Sequence, residues 1–289
     1  MTVSIAPFLR EGQEAGARYG LALPRRVPQG TAGAQMGRLA GESMEFMDHR
    51  EYQPGDDLRR LDWSAYARSD KMIVKLYRQE VCPHLDLVLD GSSSMALEGT
   101  AKLRAAVGLA AALATAADNA AYTRRVYVTG AGCRPLPGGT EQPILWQVPP
   151  LESAENPAQS LRTLPPAWRP RGIRILISDL VWLGDPLEVL IGMGDRAAAV
   201  YVLQVLAAAD VEPAAGGNVR LRDSETGQVE ETHLDATAAA RYRGRLQRHC
   251  ENWHRAVRQS GGVLVQLVAE RLVAGWDFSP LVEAGILTV

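Results

Sequence analysis

Cysteine is scarce: Cys82, Cys133 and Cys250 are the only three in 289 residues. An odd, widely spaced set without metal-ligand spacing argues against a disulfide framework or a thiolate metal site, and suits a reducing compartment. Long apolar runs are missing as well. The greasiest stretch, residues 187–211, is interrupted by Gly192, Gly194, Asp195 and Arg196, so it reads as helix, turn and strand and not as a membrane span. The first twenty residues carry Arg10, Glu11, Glu14 and Arg18 and no apolar core, which argues against a signal peptide or anchor. An excess of one charge is also absent. Thirty-one Lys and Arg against 33 Asp and Glu leave a net charge of −2, with no global field to attract nucleic acid. The expectation is a cytoplasmic protein without a membrane segment.

What is present is ordinary globular material, 46% hydrophobic and 22% charged, long enough for one large α/β domain with an appendage. Residues 1–45 are rich in Gly, Ala and Arg, and residues 28–41 read as an extended arm. Pro54, Gly55, Asp56 and Asp57 then form a strong turn signal: proline presets φ, glycine supplies positive φ, and the aspartates satisfy local amides. Leu58, Leu61 and Trp63 read as the inward side of a short helical turn, and residues 72–77 as a strand. The interleaved charges Arg50, Asp56, Asp57, Arg59, Asp62 and Arg68 read as a structural ion-pair network pinning this arm to the body.

From residue 85 onward, strands alternate with helices. Buried strands are expected at 85–89, 125–129, 173–178, 198–205 and 263–268. Helices are expected at 101–118, 157–168, 186–193 and 237–259, with an edge strand near 134–136. Residues 218–222 and 228–234 flank Asp223-Ser224-Glu225-Thr226-Gly227, a hairpin signature. The implied fold class is α/β, a doubly wound, mostly parallel sheet with an N-terminal arm or small subdomain (residues 1–80), a main domain (81–289) and a β-hairpin insertion. Ligands of such sheets sit beyond the carboxyl ends of the strands. Two strands there end in aspartate, at Asp90 and Asp179.

The first of these runs into Asp90-Gly91-Ser92-Ser93-Ser94-Met95. Asp90, Ser92 and Ser94 place three oxygen side chains in one tight turn, with Asp179 within reach from a neighbouring strand end. A hard cation such as Mg²⁺ takes oxygen ligands and keeps several waters. Such a site under-neutralises its ion and leaves a position for an outside carboxylate, which is binding chemistry and needs no nucleophile.

This turn resembles the metal-ion-dependent adhesion site of von Willebrand factor A domains. The upstream run Glu45-Phe46, Arg50-Glu51-Tyr52, Pro54-Gly55-Asp56-Asp57, Arg59, Asp62-Trp63 and Ala67-Arg68 resembles the signature of DUF family 58, bacterial proteins that join it to a von Willebrand A-like domain. The resemblance implies metal contacts at Asp90, Ser92, Ser94 and Asp179, with Mg²⁺, Mn²⁺ or Ca²⁺ as the ion. The A-domain pattern also uses a threonine on an intermediate loop. The matching residues 151–156 have none, and Ser153 or Glu155 are the substitutes at hand. The resemblance further implies a non-enzymatic adaptor for a MoxR-type AAA+ ATPase.

Two other functions find less support in the sequence. Gly91-Ser92-Ser93-Ser94-Met95 misses the G-x-S-x-G nucleophile elbow. A metal-dependent phosphoryl hydrolase would rest on Asp90, but the aspartate expected two positions later is Ser92. A nucleic-acid binder would rest on Arg241, Arg243, Arg245, Arg248, Arg255 and Arg258 with Tyr242 and Trp253 on one helix. His249 and His254, on that same polar helix, read as solvated.

Overall fold

The computed structural model describes residues 4–24, 44–54, 56–79, 83–213 and 216–289. The arm expected over residues 28–41 lies outside them, as do Gly55 and Cys82. The chain divides into two units, Met1–Val27 with Pro83–Val289, and Pro28–Cys82. In chain order the elements are α1 (Ala6–Gly16), β1 (Gly20–Leu21), β2 (Met44–Glu51), α2 (Trp63–Ser69), β3 (Ile73–Gln79), β4 (His84–Leu89), α3 (Lys102–Asn119), β5 (Thr123–Val128) and β6 (Arg134–Pro135). Then follow α4 (Pro157–Thr163), β7 (Ile173–Ser178), α5 (Pro186–Gly194), β8 (Ala199–Leu206), α6 (Ala208–Val211), β9 (Gly217–Arg222), β10 (Val229–Leu234), α7 (Ala236–Gln259), β11 (Val263–Val268), α8 (Ala269–Gly275), α9 (Ser279–Glu283) and β12 (Leu287–Thr288).

The larger unit is built on a six-stranded sheet in the order β11-β8-β7-β4-β5-β6, parallel throughout except for the antiparallel edge strand β6. Strands buried on both faces read as continuous apolar runs, and every residue of β4 and β7 is buried. Side chains of β4 alternate between two cores. Leu85, Leu87 and Leu89 join α3 and α8, while Val88 joins α5 and α7 through Val189, Leu190, Trp253 and Val257. From β4 the chain crosses to β5 on one side, then returns to β7 on the other. The carboxyl ends of β4 and β7 therefore border the crevice where the winding direction changes, the usual ligand position of an open α/β sheet.

Helix α3 buries 13 of its 18 residues, mostly alanines. Its composition led to the expectation of close packing on a sheet, and the structure adds a second cause. Helix α1 lies along it so closely that Gly12 and Gly16 face the backbones of Gly108 and Ala112. Arg104 and Glu11 tie the two helices at 2.8 Å. Residues 4–24 thus pack with the sheet body, although the sequence reading groups residues 1–80 together. Strand β1 is held by β12.

The smaller unit is a hairpin of β2 and β3, with a shift of register between Phe46 and Asp48, that carries α2. The signature residues build it. Arg50 clasps Asp56 with two bonds of 2.7 and 2.9 Å. Asp57 accepts from the Arg59 amide at the head of a 3-10 turn, and Asp62 caps α2 by accepting from the Ser64 and Ala65 amides, both at 3.0 Å. These interactions are internal to the unit. Leu61 is buried as expected, but Leu58 and Trp63 are not inward-facing: both are more than half exposed, because the turn that buries Leu61 against Val74 points its neighbours away.

Candidate metal and adhesion site

Asp90 follows the last residue of β4, and its amide continues the ladder by donating to the Ile177 carbonyl at 2.9 Å. The side chain has no exposure. Oδ1 accepts from the Ser92 amide at 2.9 Å and from Thr129 Oγ1 at 3.3 Å, and Oδ2 accepts from Ser178 Oγ at 2.5 Å. Gly91 is required by space, not by φ: a Cβ there would lie 2.0 Å from the Thr129 carbonyl oxygen. Ser92 and Ser94 bring their hydroxyl oxygens to 3.1 Å from each other.

Asp179 follows β7 and is also buried. Its Oδ1 accepts from the Val181 amide at 3.0 Å, and its Oδ2 from Lys102 Nζ at 2.6 Å. The next residue, Leu180, is fully buried with φ of 59°, a costly conformation for a branched aliphatic side chain. Ser178 Oγ bonds its amide at 3.0 Å, and His249 Nε2 reaches its carbonyl at 2.6 Å. His249 therefore braces the Asp179 loop, in contrast to the solvated role expected for it.

The charge of Asp179 bears on its buried neighbour Asp90. Burial, and then the charge of Asp179, push Asp90 up to about 6, against the hydrogen bonds from Ser178 and Ser92. The sequence-predicted set Asp90, Ser92, Ser94 and Asp179 is thus drawn to the facing ends of two adjacent strands.

Residues 151–156 are knitted to the serine turn. Ser93 N donates to the Ser153 carbonyl and Ser153 N to the Gly91 carbonyl, both at 3.0 Å. Ser153 Oγ is engaged locally by the Glu155 amide at 3.0 Å, and Glu155 Oε2 is buried without a partner among the described residues. The threonine that touches Asp90 is Thr129, at the end of β5, not a residue of this loop. Sequence reasoning missed it because the contact follows from the pairing of β4 with β5.

It missed Lys102 and Glu225 too. Glu225 sits half-buried at the hairpin tip, where burial and the charges of Asp179, Asp90 and Asp223 push it up to about 7, Lys102 opposing. Among the described residues no three His, Cys, Asp or Glu side chains converge to hold a metal. An ion at this turn would draw on two carboxylates, serine hydroxyls and water, a donor set suited to a hard cation.

On α7 the proposed aromatic partner Trp253 is withdrawn from the surface. It is 1% exposed and packs edge-on against Trp182 at 5.2 Å between centroids, which removes a stacking platform from the arginine-rich face.

A mixed α/β body with an acidic, serine-rich turn at the crossover of a largely parallel sheet defines the class. Residues 48–252 match the family described as protein of unknown function DUF58, and the chain belongs to that family. Uncharacterized proteins of Mycobacterium tuberculosis and Mycobacterium bovis are 27% identical over 255 residues, spanning 83% of this chain and 79% of theirs. Among solved structures, the conserved hypothetical protein BatB from Bacteroides thetaiotaomicron aligns at 17% identity and a TM-score of 0.38, covering 70% of this chain and 99% of that one. An aerotolerance-related membrane protein from Bacteroides fragilis aligns at 17% identity and a TM-score of 0.38, covering 71% and 96%.

Proposed function

We propose that the protein is a non-enzymatic interaction module of doubly wound, von Willebrand A-like architecture. It binds a divalent metal, Mg²⁺ or else Mn²⁺ or Ca²⁺, through Asp90, Ser92, Ser94 and Asp179, and acts in the cytoplasm as an adaptor for a MoxR-type AAA+ ATPase. The observation that supports the site most strongly is the convergence of Asp90 and Asp179, both buried, on the crevice between β4 and β7. Lys102 offsets the charge of Asp179, and Asp90 beside it is costly to bury as a carboxylate unless a further cation shares it. The chain's own residues supply the rest: Thr129 and Ser178 orient Asp90, and Ser92 and Ser94 present neutral oxygens. A metal held this way would offer charge to a partner's Asp or Glu. The ATPase assignment rests on the family resemblance. No helix among the described residues is long and apolar enough to cross a membrane.

Titration calorimetry with Mg²⁺ and Mn²⁺ tests the metal. Binding to the wild type and its loss in Asp90→Ala are expected, and no binding to the wild type would end this reading. Co-purification with a co-expressed MoxR-type ATPase, in wild type against Asp90→Ala, tests the adaptor role. Equal recovery would show that the metal face is not the docking surface.

A further inference from the structure

Lys102 opens α3 with 2% of its surface exposed. Its Nζ lies 2.6 Å from Asp179 Oδ2 and 3.3 Å from Asp210 Oδ2. A buried ammonium is tolerated only when paired, and this one is paired twice, with a carboxylate of the candidate metal site and with one outside it. Asp210 is fixed in turn by the Ala207 amide, which donates to its Oδ2 at 2.9 Å. Asp179 therefore has one oxygen on the Val181 amide and the other on a tethered cation.

We propose that Lys102 is the resident counter-ion of this site, holding Asp179 when no metal is bound and yielding it by shifting onto Asp210 when one is. This rests on the metal-binding reading above. The ammonium and a dication compete for the same carboxylate and repel each other across a few ångströms of low-dielectric interior, where charge interactions are strong. Lys102 thus lowers the affinity of the site and keeps the metal exchangeable. The two aspartates fix its stroke: the amine moves between oxygens it already contacts, so a rotation of the side chain suffices.

The experiment is Mn²⁺ binding by calorimetry, with thermal unfolding in EDTA and in Mg²⁺, on the full chain carrying Lys102→Met or Asp210→Asn. Lys102→Met is expected to bind Mn²⁺ at least about tenfold more tightly than wild type. Its melting temperature should fall in EDTA, where Asp179 and Asp210 lose their cation, and recover in Mg²⁺ by more than the wild type gains. Asp210→Asn removes the charge of the alternative partner, biases the ammonium toward Asp179 and should weaken Mn²⁺ binding several-fold. That variant carries the test if Lys102→Met does not fold. Metal binding by Lys102→Met alone, with none by the wild type, would overturn the proposal, since the ammonium would then never yield Asp179. Equal affinity in wild type and both variants would overturn the counter-ion role and leave the metal site standing. No binding in any of the three proteins would overturn the metal site, and this inference with it.

Discussion

Gly12 of α1 and Gly108 of α3 meet backbone to backbone: a Cβ on Gly12 would lie 2.0 Å from the Gly108 carbonyl oxygen. Gly108 is covered as well by the Trp276 ring, which a Cβ there would also strike at 2.0 Å. Alanine at Gly12 would gain roughly 1 kcal/mol of helix propensity. The obstructing atom is main chain, so the helices must separate, and overpacking of this kind costs about 1–3 kcal/mol. Gly12→Ala should therefore lose stability on balance, and urea unfolding followed by circular dichroism would show the midpoint fall.

Asp90 gives a stability prediction opposite in sign to its proposed binding role. Its folded pKa of about 6 lies above the ordinary value, so the folded state holds the proton more tightly than the unfolded chain. The resulting stabilisation is full below about pH 4 and is lost as pH rises through about 6. Asp90→Asn should abolish that slope and, in EDTA at pH 8, be more stable than wild type by on the order of 3 kcal/mol, while binding no metal. Thermal melts across pH 4–8 would read both effects.

Asp62 has the reverse sign. Hydrogen bonds from the Ala65 amide and from His49, with the Lys75 charge a smaller contribution, lower it to about 2. Its contribution is present above about pH 4 and disappears as pH falls toward 2. Protection of the Ser64 and Ala65 amides against hydrogen exchange, relative to the intrinsic rate at each pH, should fall over that range in the wild type. Asp62→Ala should lack that protection at every pH, for loss of the cap.

Cys133 is buried, and burial followed by the Asp86 charge pushes its thiol up to about 12. The thiolate is the reactive form. Iodoacetamide at pH 8 should leave Cys133 unmodified in the folded protein and label it after denaturation, as peptide mass mapping would show.

The strands that carry the site were legible because their burial leaves a plain mark: Leu85 to Leu89 and Ile173 to Ser178 are short apolar runs ending in aspartate. The hairpin around Asp223 to Gly227 was legible from turn chemistry, since Asp223 accepts from the Glu225 and Thr226 amides. Other features depend on strand order or distant packing. Lys102 at the head of an alanine-rich helix has the pattern of a surface residue, and only its approach to Asp179, 77 positions away, gives it a role. Thr129 reaches Asp90 only because β5 pairs with β4. Helix α1 left a weak signal because glycine marks a close approach by having no side chain to show.

The pairing of β1 with β12 matters for the order of folding. Gly20 accepts from Thr288 across a separation of 268 residues, and closing a loop of that length costs roughly 5 kcal/mol of chain entropy. Helix α1 leaves the ribosome early, but the strand that follows it waits for nearly all the intervening chain. Helix α1 can dock on α3 once residue 119 has emerged, as Gly12 meets Gly108, but β1 has no partner until β12 is made. Completion of refolding should therefore be gated by this late non-local contact, and the nascent chain should spend its longest vulnerable interval with β1 unpaired.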